Sequence, residues 1–416
     1  MSLIKTSLYS FISTSISLVA KLITNKVAAI YLGTSGMFIL GQLKDFMNLG
    51  KVAGNIGTEN GVIKYVADYK NSEELKPFIG SAFKIHLFSS LTVCILTLCF
   101  NKSISQYLFK DLQFSSGIII LSFSFISMAF HSLIMSVLNG LKRIKTYVLI
   151  SVVSTLITAI IMVILVVKYN IIGAVYAIAI NQIIIAFVSL FFVRNLGFLS
   201  LKNFRTKINS IHFKNLTKFS IMAIVAPLCM VGSTFFVRLF INSKLGDQYA
   251  GSWEGMWRIS AIYIMFLTTT FQFYLIPTFT GLSGKELKRE VFKVWTLSVP
   301  SILAITFIVY LLKDFIVPLL FSKEFLLINT IILFHLLGDA VKINSWVLGK
   351  ILVSKAKTKV FICFQIGWAL VFCCLTVLLV KSQGFVGVSV AYFITYIFHF
   401  IAMNIYFRKL LWTRAN

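Results

Sequence analysis

Long apolar stretches follow one another along this chain with only short polar breaks between them. A bilayer core needs about 20 apolar residues in a helix rising 1.5 Å per residue. Twelve stretches meet that length, roughly 7–32, 37–66, 78–101, 114–139, 146–168, 171–193, 216–241, 253–280, 291–312, 325–349, 360–380 and 385–407. In hydrocarbon every backbone N–H and C=O must be satisfied within its own segment, so these stretches are predicted to be helices. Breaks fall at Gly33–Gly36, Lys70–Pro77, Gly140–Lys145 and Gly281–Glu290. The expected fold is all-α, a polytopic membrane protein of twelve transmembrane helices. Only 12% of the residues are charged and 58% are hydrophobic. Soluble domains run near a quarter charged, which excludes a water-soluble globular enzyme.

The charge balance fixes an expected orientation. The chain has 39 Lys and Arg against 13 Asp and Glu, a formal charge of +26. With the amino terminus inside, twenty-three of the basic residues lie on cytoplasmic segments and seven on the opposite loops. Such an excess of Lys and Arg marks the cytoplasmic side, so both termini are expected in the cytoplasm of a multi-pass inner-membrane protein. This division also removes the nucleic-acid reading of a basic chain. All six cysteines lie within spans, where they pack as small hydrophobes. There is no zinc spacing, no phosphate-binding G-x-x-x-x-G-K-[ST] loop and no H-E-x-x-H motif. No metal and no cofactor are expected.

The longest hydrophilic connection, about 194–215, separates spans six and seven and divides the chain into an N-lobe (1–200) and a C-lobe (201–416). A faint echo crosses it. Lys5-Thr6-Ser7 resembles Lys218-Phe219-Ser220 at an offset of 213, and Lys145-Thr146 matches Lys357-Thr358 at 212. Six spans per half is an even number, so both halves enter the membrane the same way. Parallel repeats of this kind place a site between the lobes.

Nine basic residues belong to no loop: Lys21, Lys26, Lys44, Lys51, Lys64, Lys84, Arg238, Arg258 and Lys342. Lys64 and Lys84 lie near span ends and can reach the interface. An unpaired cation at the bilayer centre costs about 2.5–3.5 kcal/mol, and the clear intramembrane acids are only Asp45, Glu59 and Asp339. Several cations are therefore expected to face a watery, net-positive cavity that attracts an anion. In span two, Lys44, Asn48, Lys51, Asn55 and Glu59 share one helical stripe within about 80°, while Gly50, Gly54, Gly57 and Gly61 form a second stripe for helix contact. Span ten carries His335, Asp339 and Lys342 on one face. Either Asp339 and Lys342 form an ion pair that lets both be buried, or Asp339 or His335 titrates as a coupling site, with Glu59 as another candidate. Arg238 and Arg258 lie near the outer ends of spans seven and eight, and Lys26 near the outer end of span one. A guanidinium fork fits a phosphate bidentately.

These residues also carry a family resemblance. Met1-Ser2-Leu3-Ile4-Lys5 with Lys26 downstream, Asn60-Gly61-Val62-Ile63-Lys64-Tyr65-Val66-Ala67, Lys218-Phe219 and Gly338-Asp339-Ala340-Val341-Lys342 occur in an order and spacing similar to those of the bacterial O-antigen flippases. Tyr274 with Pro277, and Ala391-Tyr392 with Thr395-Tyr396, add to the likeness. The chain also closely resembles their relatives, the lipid III flippases of enterobacterial common antigen synthesis, within the multidrug/oligosaccharidyl-lipid/polysaccharide exporter superfamily. The resemblance implies two six-helix lobes around a central cationic cavity. It implies as cargo an undecaprenyl-pyrophosphate-linked oligosaccharide moved from the cytoplasmic to the periplasmic leaflet. Lys26, Lys44, Arg238 and Lys342 match basic positions of the family, whereas Glu254 and Arg258 depart from the lipid III pattern and point towards a different glycan.

The expected function is a flippase, not an enzyme, that carries lipid-linked O-antigen units by alternating access and is driven by an ion or proton gradient. Lys26, Lys44, Lys51, Arg238, Arg258 and Lys342 are the expected pyrophosphate ligands; Asp339, Glu59 and His335 are the coupling candidates. Trp253, Trp257, Tyr263 and Tyr274 either stack on sugar rings or anchor the chain at the membrane interface, the commoner use of Trp and Tyr. Membrane lipids and other polysaccharide-assembly proteins are the expected partners. A lipid III flippase is the nearest alternative. A cation-coupled multidrug exporter suits a cationic cavity poorly, and a polymerase or ligase would want an outer loop larger than any present.

Overall fold

The computed structural model describes residues 3–196 and 210–413, with the side chains of 3–11, 210–211, 213–215, 217–219, 266–273 and 276–277 left out. The sequence pairing of Lys5 with Lys218 therefore lies outside the described side chains, and most of the long connection lies outside the described residues. The chain runs α1 (Leu3–Asn55), α2 (Glu59–Tyr69), α3 (Leu75–Cys99), α4 (Asn101–Phe109), α5 (Ser115–Gly140), α6 (Ile144–Val193) and α7 (Ser210–Leu245). It continues through α8 (Asp247–Gly281), α9 (Gly284–Leu311), α10 (Lys313–Leu320), α11 (Ile328–Ser354), α12 (Thr358–Gln383), α13 (Val386–Tyr406) and α14 (Arg408–Leu411). Short 3₁₀ turns at Leu112–Phe114 and Lys323–Leu327 precede α5 and α11. No strand occurs among the described residues.

Nine of these helical segments are long and apolar enough to cross a membrane, counted among the described residues. Two of the nine are broken inside. α1 breaks at Gly33 (φ 62°) and α6 at Asn170 (φ 50°). The break at Gly33 falls in the polar cluster marked in the sequence. Asn170 is among the few side-chain types that occupy the left-handed region readily.

One sequence expectation is corrected here. The sequence predicts one continuous helix over 37–66, but the chain turns after Asn55, where Ile56 (φ 50°) and Gly57 (φ 61°) are both left-handed. Glu59 thus opens α2 and does not continue the stripe of Lys44, Asn48, Lys51 and Asn55 by helical spacing. A left-handed β-branched residue is strained. Around it, Gly57 lies so close to Ala223, Ile224 and the Ser220 carbonyl that an added Cβ would sit 3.0–3.1 Å from them.

The helix order repeats. A long helix, a short helix, a 3₁₀ turn and a long helix follow one another as α3–α4–α5 and again as α9–α10–α11. Left-handed residues recur with the same spacing: Gly33 and Gly246 are 213 apart, whereas Lys142 with Ala356 and Asn170 with Gly384 are 214 apart. The Lys145-Thr146 match to Lys357-Thr358 at 212 is therefore two residues out of register. The backbone equivalents of Arg143 and Lys145 are Lys357 and Lys359.

By contacts the chain divides into two compact units. One comprises Met1–Leu32 and Ile39–Pro227, the other Gly33–Phe38 and Leu228–Asn416. In the first, Val62, Val66, Phe78, Val137, Leu138 and Leu216 form a buried core drawn from α2, α3, α5 and α7. The second is built around Trp253, Phe279, Phe321, Phe325, Phe372 and Tyr392, each under 2% exposed. The short piece after Gly33 belongs to this second unit because α8 meets it backbone to backbone: a Cβ at Gly251 would collide with the Thr34 carbonyl.

Candidate functional site

Helix α8 organises two polar clusters inside the second unit. The first joins it to α7. Arg238 donates from Nη2 to Glu254 Oε2 at 2.7 Å, and Arg258 donates from Nε to Glu254 Oε1 at 3.0 Å. Arg238 and Glu254 are each 3% exposed, and Arg258 is largely buried. Arg258 follows Glu254 by four residues, which places both side chains on one face of α8. The Arg238 guanidinium also lies 5.8 Å from the Trp253 ring centre. One carboxylate thus receives two guanidinium groups, one per oxygen.

The second cluster surrounds Asp339 of α11, which has no exposed surface. Its Oδ2 accepts from Ser260 Oγ at 2.6 Å and from the Tyr263 hydroxyl, both on α8. Its Oδ1 accepts from the Tyr392 hydroxyl of α13 at 2.7 Å and from Lys342 Nζ at 3.4 Å. The Lys342 ammonium also donates to Tyr392 at 2.9 Å. It lies 4.9–5.7 Å from the ring centres of Trp257, Trp346, Tyr392 and Tyr396. Cation–π attraction strengthens when the cation is desolvated, so this box stabilises an ammonium that has left water. His335 stacks on Tyr392 at 4.4 Å, with Nε2 4.0 Å from Asp339 Oδ2 and neither ring nitrogen hydrogen-bonded among the described residues.

A third cluster belongs to the first unit. Glu59 Oε1 accepts from Lys51 at 3.1 Å, from Asn55 Nδ2 at 3.0 Å and from Ser132 of α5 at 2.5 Å. Asn55 also accepts from the Gly57 backbone N–H at 3.0 Å, which ties this cluster to the turn. Both Lys51 and Glu59 remain about 40% exposed, 39% and 40% respectively.

The predicted residues therefore fall into separate sets. Arg238 and Arg258 come together, as do His335, Asp339 and Lys342, and as do Lys51 and Glu59. Lys26 is half-buried and Lys44 exposed. The expectation that the clear intramembrane acids are only Asp45, Glu59 and Asp339 is corrected by the buried Glu254: Arg238 and Arg258 share its carboxylate, Lys342 meets Asp339 and Lys51 meets Glu59, each within its own unit. The physical reason is the high cost of an unpaired buried charge. The acid missed by sequence reasoning is Glu254, although its i,i+4 spacing to Arg258 was a usable signal. Ser132, Ser260, Tyr392 and Tyr396 carry no role in the sequence reading because their partners lie on other helices, whereas Trp346 lies one turn after Lys342 on α11, a spacing that could have shown it. Trp253 and Tyr263, expected to stack on sugars, are instead packed inside the unit, and Tyr263 is engaged by Asp339. Tyr274 is exposed and donates to Glu290 at 2.6 Å.

Comparison with known proteins places this geometry in context. The chain is 26% identical over 403 residues to the lipid III flippases of Escherichia coli (strain K12) and Shigella flexneri, covering 96% of this chain and 97% of each relative. Its fold is similar to that of an inward-facing multidrug resistance MATE-family transporter of the MOP superfamily, with a TM-score of 0.79 at 13% identity over 97% of this chain and 99% of the other. It is also similar in fold to the lipid II flippase MurJ in an inward closed conformation, with a TM-score of 0.70 at 17% identity over 97% and 87% of the two chains. The model of the polysaccharide biosynthesis protein family matches residues 39–329. With most of its length matched, this multi-pass helical chain belongs to the polysaccharide biosynthesis protein family.

Proposed function

We propose that the chain is a flippase for lipid-linked oligosaccharides, carrying undecaprenyl-pyrophosphate-linked O-antigen units from the cytoplasmic to the periplasmic leaflet. The observation that carries this reading is the convergence of Arg238 and Arg258 on one carboxylate. Two guanidiniums held at the spacing of a single bidentate oxyanion form a receptor that a diphosphate can enter by displacing Glu254. Unaided passage of such a headgroup through hydrocarbon is prohibitive, and the guanidiniums replace its hydration. Lys26 and Lys44 complete the pyrophosphate path. Lys51 and Lys342 hold Glu59 and Asp339 in place and meet the cargo only when those clusters open. The helices form twelve spans in an N-lobe (1–200) and a C-lobe (201–416), with both termini cytoplasmic. Other polysaccharide-assembly proteins receive the product.

The decisive experiment measures flipping of a labelled undecaprenyl-pyrophosphate oligosaccharide in proteoliposomes. Arg238→Ala leaves Glu254 paired with Arg258, so the fold has no buried lone charge. Loss of one charge-assisted contact worth about 1.5–3 kcal/mol lowers flipping by about 10–100-fold. Wild-type rates for both Arg238→Ala and Arg258→Ala would end the reading.

Coupling to an ion or proton gradient falls to Glu59. It is half exposed and sits beside the strained Ile56–Gly57 turn, whereas Asp339 is sealed by four donors. Glu59→Gln is expected to abolish the response of flipping to an imposed pH gradient while flipping without a gradient persists. An unchanged gradient response would exclude Glu59.

The similarity to lipid III flippases along the whole chain favours one second reading, that the glycan is that of lipid III. Complementation of a strain lacking its own lipid III flippase separates the two. Growth restored to normal favours lipid III, and failure with normal membrane levels favours O-antigen.

A further inference from the structure

Two helical hairpins, one in each unit, carry the same unassigned feature. In α6 the arms before and after Asn170 run antiparallel: Asn181 donates to the Thr158 carbonyl at 3.2 Å, and a Cβ at Gly173 would strike the Leu165 carbonyl. In the α12–α13 hairpin, a Cβ at Gly387 would strike the Leu379 carbonyl in the same way, 214 residues on. Each pair of arms leaves an apolar trough. The first, about 610 Å³, is lined by Val153, Ile157, Phe187 and Phe191 and ends at Arg194. The second, about 270 Å³, is lined by Gly367, Val371, Phe398 and Ala402. Val153 and Gly367, and Ile157 and Val371, are again 214 apart.

The first trough ends at a basic residue, and the repeat register gives the second hairpin basic residues at the equivalent end. The register of Asn181 against Thr158 sets Arg194 level with Lys145. Their equivalents at 214 are Arg408 and Lys359, and Arg143 is matched by Lys357. The Arg194 guanidinium lies 4.4 Å from the Phe191 ring centre, at the mouth of the trough. Residues 141–196 and 355–413 contain no Asp or Glu. None of these six basic side chains forms an ion pair among the described residues. An open apolar slot with Phe187 68% exposed, ending in cations that have no carboxylate on their own hairpin, matches one kind of occupant. That occupant has hydrocarbon chains and an anionic head.

We infer that each hairpin binds an anionic phospholipid of the surrounding bilayer, with its acyl chain in the trough and its phosphate at Arg194 or Arg408. The inference rests on the chain's spanning a membrane and not on the cargo it moves. Phosphatidylglycerol and phosphatidylcholine serve as probes on the detergent-purified full chain, with retained lipid counted by native mass spectrometry. Wild-type protein is expected to retain two phosphatidylglycerol molecules in preference to phosphatidylcholine. Each Lys or Arg near an anionic surface contributes about a fivefold gain in binding, so Arg194→Gln with Arg408→Gln weakens retention by about that factor at each site. Gly367 has open space where a Cβ would go, so Gly367→Phe directs a ring into the second trough and removes one lipid whatever its charge. This variant keeps the test open if the arginine variants do not fold. Equal retention of the two lipids, or phosphatidylglycerol retention indifferent to both arginine and Gly367 changes, would overturn the proposal. Displacement of phosphatidylglycerol by one equivalent of undecaprenyl diphosphate would also overturn it, by assigning the troughs to the cargo lipid.

Discussion

Asp339→Ala is expected to leave little folded protein. The substitution strips from Lys342, which is 2% exposed, the only carboxylate that it meets among the described residues, and removes the acceptor used by Ser260, Tyr263 and Tyr392. Removing one partner of a buried pair costs about 3–5 kcal/mol, because the other charge stays buried. Each hydroxyl left without an acceptor adds about 1–3 kcal/mol. Proteins stand only about 5–15 kcal/mol above unfolding, so the sum consumes most of that margin. Asp339→Leu combined with Lys342→Met removes both charges and is expected to regain part of the loss, since apolar replacement of a whole buried pair is often neutral or better. Thermal unfolding of the two single variants and the double variant in detergent closes the cycle. A coupling energy of about 2–3 kcal/mol is expected between positions 339 and 342, within the range for residues in one network. If Asp339→Ala melts like wild type but does not transport, Asp339 acts in coupling and its structural role here is wrong.

How much of this was legible in the sequence follows from the range over which each signal acts. Helices could be read because hydrocarbon forces every backbone group to pair locally, and an apolar run of sufficient length has one solution. The break at Gly33 was legible from its Gly-Thr-Ser-Gly cluster. The turn at Ile56 was not, because isoleucine is the wrong residue for a left-handed position, and the turn is met by the close approach of Gly57 to α7 and by the Gly57 N–H bond to Asn55. The ion pair of Asp339 with Lys342, three residues apart, was weighed from spacing alone. Tyr392 lies 53 residues from Asp339 along the chain, and no periodicity reports that distance. Glu254 was hidden for a related reason. Its nearer partner, Arg258, lies one turn away, but the partner that makes the arrangement a triad is on the preceding helix, 16 residues back. The internal repeat showed the opposite weakness: its existence could be suspected from dipeptides, but its register came only from the backbone, two residues away from the lysine-threonine match.

Glu254→Gln tests the triad from the side of its anion. The amide keeps the size of the carboxylate but carries no charge, so Arg238 and Arg258 lose the carboxylate that both contact in a buried place. Destabilisation of about 3–5 kcal/mol is expected, as for other buried pairs that lose one member. The loss should be reversible by an added anion. If the two guanidiniums form a receptor for a diphosphate, inorganic diphosphate can occupy the space between them that Glu254 no longer neutralises. Binding to the folded state alone stabilises by RT ln(1 + [L]/Kd), about 2.7 kcal/mol at a hundredfold excess over Kd. The melting temperature of Glu254→Gln in detergent should therefore rise with added diphosphate and approach that of the parent. The parent chain, whose own carboxylate already fills the site, should respond far less. Chloride at equal ionic strength controls for screening, which weakens repulsion between the arginines without entering the fork. A Glu254→Gln protein that unfolds at the same temperature with diphosphate as with chloride would show that the two arginines do not form an oxyanion receptor. The pyrophosphate path would then have to run through Lys26 and Lys44 alone.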